Sequence, residues 1–176
     1  MEIWDEHVLL ERARQGDEIA YEQLLVSVVE PAHRLACGLL HDSHLAEDAV
    51  QEAAVKAWRR LGNLRSGASM RPWFLGIVAN QCRDFRRGHW GRLITKADVD
   101  LRVDPPDEEA LRRIEVRRAL ERLNRHDRLV VVLHVYLELP WPEVAVVTGL
   151  TEAGARTRFY RALAKIRPRE QAPVTV

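Results

Sequence analysis

The sequence predicts an all-α protein with two small helical domains joined by a flexible acidic linker. Apolar residues recur every three or four positions through almost all of the 176 residues, which is the spacing of amphipathic helices. No segment shows the clear alternation of apolar and polar residues that marks a half-buried strand. Residues 96–109 interrupt the helical pattern with an Asp-Pro-Pro-Asp sequence and six acidic residues. We therefore place the domains at 1–95 and 110–170, with the linker at 96–109.

The N-terminal domain begins with three predicted helices. A short first helix ends near Gly16, and Asp17 caps the second one. Pro31 is expected to kink or restart this second helix, because proline has no backbone N–H to donate within a helix. The third helix is capped by Asp42 or Ser43 and carries an apolar stripe towards the core.

A turn-rich segment, residues 62–69, separates the third helix from a fourth that begins near Arg71. This fourth helix has an apolar stripe on one side and arginines on the other. Trp73 shares the spacing of Ile77 and Val78, so we assign it to the core in preference to a stacking surface for a base.

The C-terminal domain ends in a predicted helix-turn-helix over Leu139–Arg167. Gly149 supplies the left-handed turn, and Thr151 can cap the second helix. Upstream, the apolar run LVVVL lies in a predicted helix over Arg125–Tyr136. Because three of its residues are β-branched, a strand remains an alternative for this run.

The second helix of the helix-turn-helix is basic on its outward face. Arg158, Arg161 and Lys165 share that face, and Arg156 and Arg167 flank it. A cationic helix behind a tight turn suits insertion into the DNA major groove. The alternative is a solvated amphipathic helix with cations near its C-terminus.

The net charge of +1 conceals a strong segregation along the chain. The sum is −9 over residues 1–52 and −5 over residues 98–109, whereas residues 71–96 and 151–169 each sum to +5. The two basic segments predict contact with DNA at two places, and the acidic segments offer a third surface for a different partner.

Composition also excludes several classes of protein. No apolar run is long enough to span a bilayer, and the N-terminus lacks the pattern of a signal peptide, so we expect a cytoplasmic protein without membrane insertion. Cys37 and Cys82 lie in apolar helical patterns and are predicted to be free thiols. We find no phosphate loop, nucleophile elbow or paired catalytic carboxylates, so we predict neither an enzyme nor a cofactor.

One part of the N-terminal domain combines residue types that bind metals. His33 and Cys37 are four residues apart, with His41 and His44 nearby. Nothing elsewhere in the chain completes the spacing of a zinc site, so we predict no metal.

Three segments resemble the extracytoplasmic-function (ECF) type of bacterial RNA polymerase sigma factor, in the family's order. AEDAVQEAAVKAW at Ala46–Trp58 is similar to the acidic D-x-x-Q-E helix, and RPWFLGIVANQCRDFRR at Arg71–Arg87 to the R-x-W-L-x-x-I-A-x-N segment. ALERLNRHDRLVVVLHVYLELPWPEVA at Ala119–Ala145 is similar to the run that leads into the helix-turn-helix. Asn124 replaces the usual proline, and Trp141 precedes Pro142, so the first helix of the turn is expected to start late.

The resemblance implies a protein that binds core RNA polymerase, through the coiled coil of its largest subunit and its flap, and directs promoter recognition and opening. It implies an anti-sigma factor as a further partner. The residues matching the family's contacts with polymerase are Asp48, Gln51 and Glu52. Those matching the contacts with the minus-10 element of promoter DNA are Arg65, Ser66, Asn80, Arg83, Arg86 and Arg87. Those matching the contacts with the minus-35 element are Arg156, Thr157, Arg158, Arg161 and Lys165.

Two other functions remain open on the sequence alone. A one-component helix-turn-helix regulator would use the C-terminal domain for DNA and the N-terminal domain for dimerisation, without polymerase. It would leave the acidic helix and the basic segment Arg71–Arg87 unexplained. A helical scaffold that binds acidic proteins would show no dependence on nucleic acid.

Overall fold

The computed structural model describes residues 5–93 and 108–167, and within these ranges every regular element is a helix or a helical turn. This confirms the predicted fold class. The helices are α1 (Glu6–Arg14), α2 (Glu18–Leu40), α3 (Ser43–Arg60), α4 (Met70–Leu93), α5 (Glu108–Glu121), α6 (Arg125–Val131), α7 (Trp141–Thr148) and α8 (Glu152–Ile166), with a 3-10 turn at Leu61–Asn63 and a π-helical turn at Val132–Tyr136. None of these helices is long and apolar enough to cross a membrane.

Helices α2, α3 and α4 pack against one another as the core of the N-terminal domain, and α1 lies against α2. Aspartates cap the first three helices: Asp17 accepts the Ala20 N–H at 3.0 Å, and Asp42 accepts the Leu45 N–H at 3.0 Å. These carboxylates satisfy backbone donors that have no partner within the helix. Asp42, one of the two predicted caps of α3, is therefore the cap that forms.

Pro31 does not restart α2, which continues through it from Glu18 to Leu40. The expectation of a restart is wrong, because residues on both sides of the proline enter the same core. Val28, Ala32 and Leu35 are all buried. The packing of one continuous apolar face outweighs the single hydrogen bond that the proline removes.

The LVVVL run is helical, so the strand alternative is wrong. It ends α6 and enters the π-helical turn. Val130 and Leu133 are fully buried, and α6 packs against α8. Here tertiary packing overrides the preference of β-branched residues for strands.

The helix-turn-helix forms as predicted around Gly149, which has φ +69°. Thr151 caps α8 by accepting the Gly154 N–H at 3.1 Å. The expected late start of α7 is wrong, since the helix begins at Trp141. The Trp141 ring lies 3.8 Å from the His134 ring and 5.5 Å from the Phe159 ring, and this aromatic packing holds the first turn of α7 in place.

The two domains pack closely, with α4 against α7 and α2 against the π-helical turn. A Cβ atom added at Gly38 would lie 2.9 Å from Val132 Cγ1, and one added at Gly76 would lie 3.8 Å from the Val147 carbonyl oxygen. Arg34 Nη2 also donates to the Tyr136 carbonyl at 2.6 Å. Of the predicted linker at 96–109, residues 96–107 lie outside the described residues. Its last two positions belong to α5, which begins at Glu108.

We expect Gly38→Val to loosen the packing between the domains, because the added side chain must displace Val132. Overpacking of this kind costs about 1–3 kcal/mol. Small-angle scattering should show a larger radius of gyration, and urea unfolding should show a lower free energy of unfolding. The matched control is Gly62→Val, since a Cβ at Gly62 meets nothing within 4 Å. Equal radii for the two variants would contradict the close approach.

Candidate polymerase and nucleic-acid interfaces

An exposed polar face on α3 contains the three residues matched to polymerase contacts. Asp48, Gln51 and Glu52 are exposed and spaced three and four residues apart, so they share one side of the helix. The structure therefore brings this set together. Carboxylates so placed can accept charge-assisted hydrogen bonds from arginines of a partner.

Glu52 also contacts a buried polar residue that the sequence reasoning missed. Gln81 on α4 is 3% exposed; its side-chain amide donates to Glu52, and its carbonyl oxygen accepts from Lys56. These bonds tie α3 to α4. In the sequence, the position of this glutamine beside the inward-facing Cys82 of the fourth helix could have indicated its burial. Within the described residues, Asp48 and Gln51 make no side-chain hydrogen bond or ion pair to another helix, so on this face Glu52 is the residue tied to the core.

The turn before α4 exposes Arg65 and Ser66, and α1 holds this turn in place. Glu6 accepts the Met70 N–H at 2.5 Å and the Ser69 hydroxyl at 3.2 Å, so it caps the start of α4 from a distant part of the chain. Arg14 donates to the Leu64 carbonyl. Neither role was predicted, because both contacts join residues at least fifty positions apart.

The remaining residues matched to minus-10 contacts lie towards the other end of α4. Asn80, Arg83 and Arg87 are exposed and share one helix face, while Arg86 is half-buried. At 1.5 Å per residue, Arg87 is about 25 Å along the helix from its start. The structure thus divides the six predicted residues between two places, the turn at Arg65 and the arginine-rich part of α4.

The arginines of α4 also face the C-terminal domain. Arg83, Arg86 and Arg87 line a cleft whose opposite wall includes Arg125 and Arg128 of α6. Arg128 is buried and donates from Nε to the Leu120 carbonyl at 2.9 Å, which ties α6 to α5. In the packed arrangement, the cationic face of α4 is therefore partly enclosed.

The recognition helix α8 presents two different sets of polar residues. On the outward side, Arg156, Thr157 and Arg161 are exposed. The Arg156 guanidinium lies 5.5 Å from the centre of the Trp141 ring, which restricts its position. Tyr160 on this helix is 66% exposed. Charge and apolar periodicity in the sequence do not single it out.

Arg158 and Lys165 turn towards α6 and its buried Asp127. Lys165 Nζ donates to Asp127 Oδ2 at 2.5 Å, and Arg158 Nη1 lies 3.9 Å from Oδ1. Of the predicted exposed face, Arg161 and Lys165 are exposed and Arg158 is half-buried, and the contacts of Arg158 and Lys165 with Asp127 were not predicted. A buried carboxylate requires cationic or hydrogen-bonding partners, and these two side chains provide them.

The two cysteines are free thiols, and burial raises the pKa of Cys82 to about 12. Cys37 Sγ lies 3.7 Å from His33 Nε2. Within residues 5–93 and 108–167, no three His, Cys, Asp or Glu side chains are grouped to hold a metal ion. Burial lowers the pKa of His41 to about 4, so this side chain is neutral at neutral pH.

Comparison with known proteins agrees with this architecture. The family described as Sigma-70 region 2 matches residues 24–92, and that described as Sigma-70, region 4 matches residues 113–166. The chain is 33% identical over 171 residues to a probable RNA polymerase sigma factor, RfaY, of Xanthomonas campestris pv. campestris, covering 92% of this chain but only 43% of that relative. It is 30% identical over 151 residues to the ECF RNA polymerase sigma factor SigM of Mycobacterium tuberculosis, covering 86% of this chain and 77% of SigM.

A solved structure has the same overall arrangement. CnrH, in complex with the cytosolic domain of CnrY, matches with a TM-score of 0.70 and 26% identity, over 92% of this chain and 94% of CnrH. Together these findings define the class of protein: a two-domain helical protein with the sigma-70 region 2 and region 4 architecture. The chain belongs to the ECF family of RNA polymerase sigma factors. A one-component regulator is not favoured, because region 2 accounts for the N-terminal domain.

We expect Asp127 and Lys165 to be energetically coupled, because Lys165 neutralises a buried carboxylate. A double-mutant cycle with Asp127→Asn and Lys165→Met should give a coupling energy of about 1 kcal/mol or more in urea unfolding. The exposed pair Arg117 and Glu121, 3.1 Å apart on α5, is the control, for which about 0.3–0.5 kcal/mol is expected. Equal coupling in the two cycles would show that Asp127 does not hold α8.

Proposed function

We propose that this sigma factor binds core RNA polymerase through α3, engages and opens the minus-10 element with the N-terminal domain, and reads the minus-35 element with α8. The observation that supports this most directly is the separation of charge between elements. An exposed acidic face lies on α3, and cationic residues lie on α4 and α8. The chain itself performs no catalysis under this proposal, because the polymerase carries out the chemistry.

The α3 face suits a protein partner with cationic side chains. Asp48 and Gln51 extend from a helix that is fixed in the core by Ala46, Ala49 and Ala53. A rigid helix loses little conformational freedom on binding, so most of the interaction energy contributes to affinity. We assign this face to the coiled coil of the largest polymerase subunit. The flap of the polymerase remains a further expected point of contact.

Promoter opening needs both capture of an unstacked base and contact with the strand backbone. The exposed turn at Arg65 and Ser66, braced by Glu6 and Arg14, suits the capture of a base. Asn80, Arg83, Arg86 and Arg87 suit contact with phosphates. Counted from the start of α4, Asn80 lies about 15 Å and Arg87 about 25 Å along the helix, a length that several nucleotides of an extended single strand can span.

For the minus-35 element, we assign direct contacts to Arg156, Thr157 and Arg161, and we add the exposed Tyr160. Arg158 and Lys165 act differently, since their contacts with Asp127 orient α8 against α6. Charge–charge contacts of this kind fix the angle at which the helix enters the groove. Because Arg158 and Lys165 contact Asp127, α8 has fewer cationic side chains available for DNA phosphates than the sequence alone indicates.

The two promoter elements are too far apart for the packed arrangement. About 25 base pairs correspond to roughly 85 Å of B-DNA at 3.4 Å per base pair. Fourteen residues connect Leu93 to Glu108, and a chain of this length spans at most about 45–50 Å. Added to the dimensions of two domains, this length is sufficient if the domains separate. We infer that polymerase holds them apart, that the protein acts in the cytoplasm, and that an anti-sigma factor controls it.

Asp48→Arg is expected to weaken binding to core polymerase about thirtyfold or more, because reversing a charge at an interface costs about 2 kcal/mol or more. Affinity for core polymerase and run-off transcription from selected promoters would both be measured. Glu22→Arg on α2 is the matched control, with the same change of charge at another exposed position. Unchanged affinity for Asp48→Arg contradicts the role of α3, and no promoter-specific transcript from the wild type contradicts the whole proposal.

Arg161→Ala and Lys165→Ala are expected to differ in their effects on upstream DNA. Loss of a phosphate contact lowers the slope of log affinity against log salt by about 0.9. We expect this change for Arg161→Ala and a smaller one for Lys165→Ala, since Lys165 is engaged by Asp127. Binding of holoenzyme to a minus-35 duplex, titrated with salt, measures both slopes. Equal slopes for the two variants would overturn the division of α8 into two sides.

A further inference from the structure

The cleft between the two domains has a volume of about 640 Å³ and two chemically distinct parts. Its floor is apolar, with Leu39 from α2, Leu129 from α6 and Val147 from α7. Its rim is cationic, with Arg83 and Arg87 from α4 and Arg125 from α6. Each domain supplies part of the floor and part of the rim.

The cleft carries an excess of positive charge. Arg83, Arg87 and Arg125 line its rim beside His126, and no Asp or Glu is among the described residues that line the cleft; Asp84, 3.8 Å from Arg83, lies outside the lining. The charges act across the domain boundary. Burial, followed by the charges of Arg125, Arg158 and Arg83, lowers the pKa of His126, whereas Asp127 raises it. An anion in the cleft would relieve this mutual repulsion.

The combination of floor and rim restricts the kind of anion. An inorganic ion would leave the apolar floor exposed to water, whereas an uncharged apolar molecule would make no charge-assisted contact with the rim arginines Arg83, Arg87 and Arg125. Ligand sites in proteins typically enclose about 300–1,000 Å³ and combine an apolar lining with a few polar groups. The cleft has a volume within that range and has both features.

We propose that this cleft is a binding site for a small amphipathic anion, a molecule with an apolar ring system and at least one phosphate, sulfonate or carboxylate group. The anionic group meets the arginines of the rim, and the ring system covers the apolar floor. Because both domains form the walls, the ligand binds the packed arrangement and stabilises it over a separated one. If the proposed function holds, the ligand also competes with promoter DNA for Arg83 and Arg87.

The test uses the full chain and 8-anilinonaphthalene-1-sulfonate, whose fluorescence increases in apolar surroundings. We expect saturable binding of one equivalent. Arg125→Glu should weaken it about tenfold or more, the effect of losing a charge-assisted hydrogen bond. Arg122→Glu, an exposed position three residues away that does not line the cleft, makes the same change of charge and should leave the affinity unchanged.

Two further measurements test separately the contribution of the ligand's charge and the contribution of the domain packing. N-phenyl-1-naphthylamine has the same ring system without the sulfonate, and its binding should be equal in the Arg122→Glu and Arg125→Glu variants. Gly38→Val loosens the domain packing without lining the cleft, so it should lower the affinity for the sulfonate, whereas Gly62→Val should not.

Three results would overturn the proposal: no saturable binding by the wild type, equal sulfonate affinities for the Arg122 and Arg125 variants, or no effect of Gly38→Val. Displacement of the probe by inorganic phosphate alone would also overturn it, because the apolar floor would then play no part. The assay contains neither polymerase nor DNA. Its failure is therefore distinct from failure of the proposed function, which the transcription assay measures.

Discussion

The close approach of the two domains depends on helix positions that carry no side chain. At Gly38 a single methyl group would meet Val132 at 2.9 Å, and α4 passes the backbone of Val147 at Gly76. A larger residue at Gly38 would move the helices apart, since protein interiors tolerate little overlap, whereas a Cβ at Gly76 would make ordinary van der Waals contact. The arginines of α4 face α6 only because the helices lie this close. The enclosed cleft, its positive charge and the partial covering of α4 all follow from this packing.

A second set of constraints comes from polar side chains that join distant parts of the chain. Glu6 caps α4, Gln81 links α3 to α4, and Asp127 holds α8. Each of these contacts positions a neighbouring surface that we assign to a partner. Functional surface and structural support therefore share residues. Glu52 contributes to both and Lys165 supports α8, whereas Asp48 and Arg161 extend from the same helices into solvent.

Most of the fold could be predicted from the sequence, because it depends on local signals. Helical periodicity, the Asp17 and Asp42 caps and the turn at Gly149 each involve neighbouring residues. The wrong expectations of a restart at Pro31 and of a late start at Trp141, and the strand alternative left open at LVVVL, have a common cause. In each case local preference opposed helix formation, and burial against a distant element outweighed it. Sequence alone does not reveal that competition, because the distant partner is unknown.

The sequence indicates which residue types form the candidate sites better than it indicates how those residues are arranged in space. Spacing placed Asp48, Gln51 and Glu52 on one face, since α3 is regular and continuous. The same reasoning grouped Arg158 and Lys165 with Arg161, and it could not anticipate Asp127, which lies in another helix. Likewise, the arginines of α4 and α6 are about forty positions apart in the chain, and only the domain packing brings them to one cleft.

The packed arrangement also determines which partners can separate the domains. A ligand shifts an equilibrium only if it binds the two states with different affinity. The exposed face of α3 and the outward side of α8 remain accessible while the domains are packed, so a partner that contacts only one of them binds both arrangements equally well. The α4 arginines are different, because they line the cleft and the packed C-terminal domain partly covers their face. Separation therefore requires either a partner that holds both domains at a fixed distance or a nucleic acid that takes the α4 arginines. Under the proposed function, core polymerase meets the first requirement and the minus-10 strand meets the second.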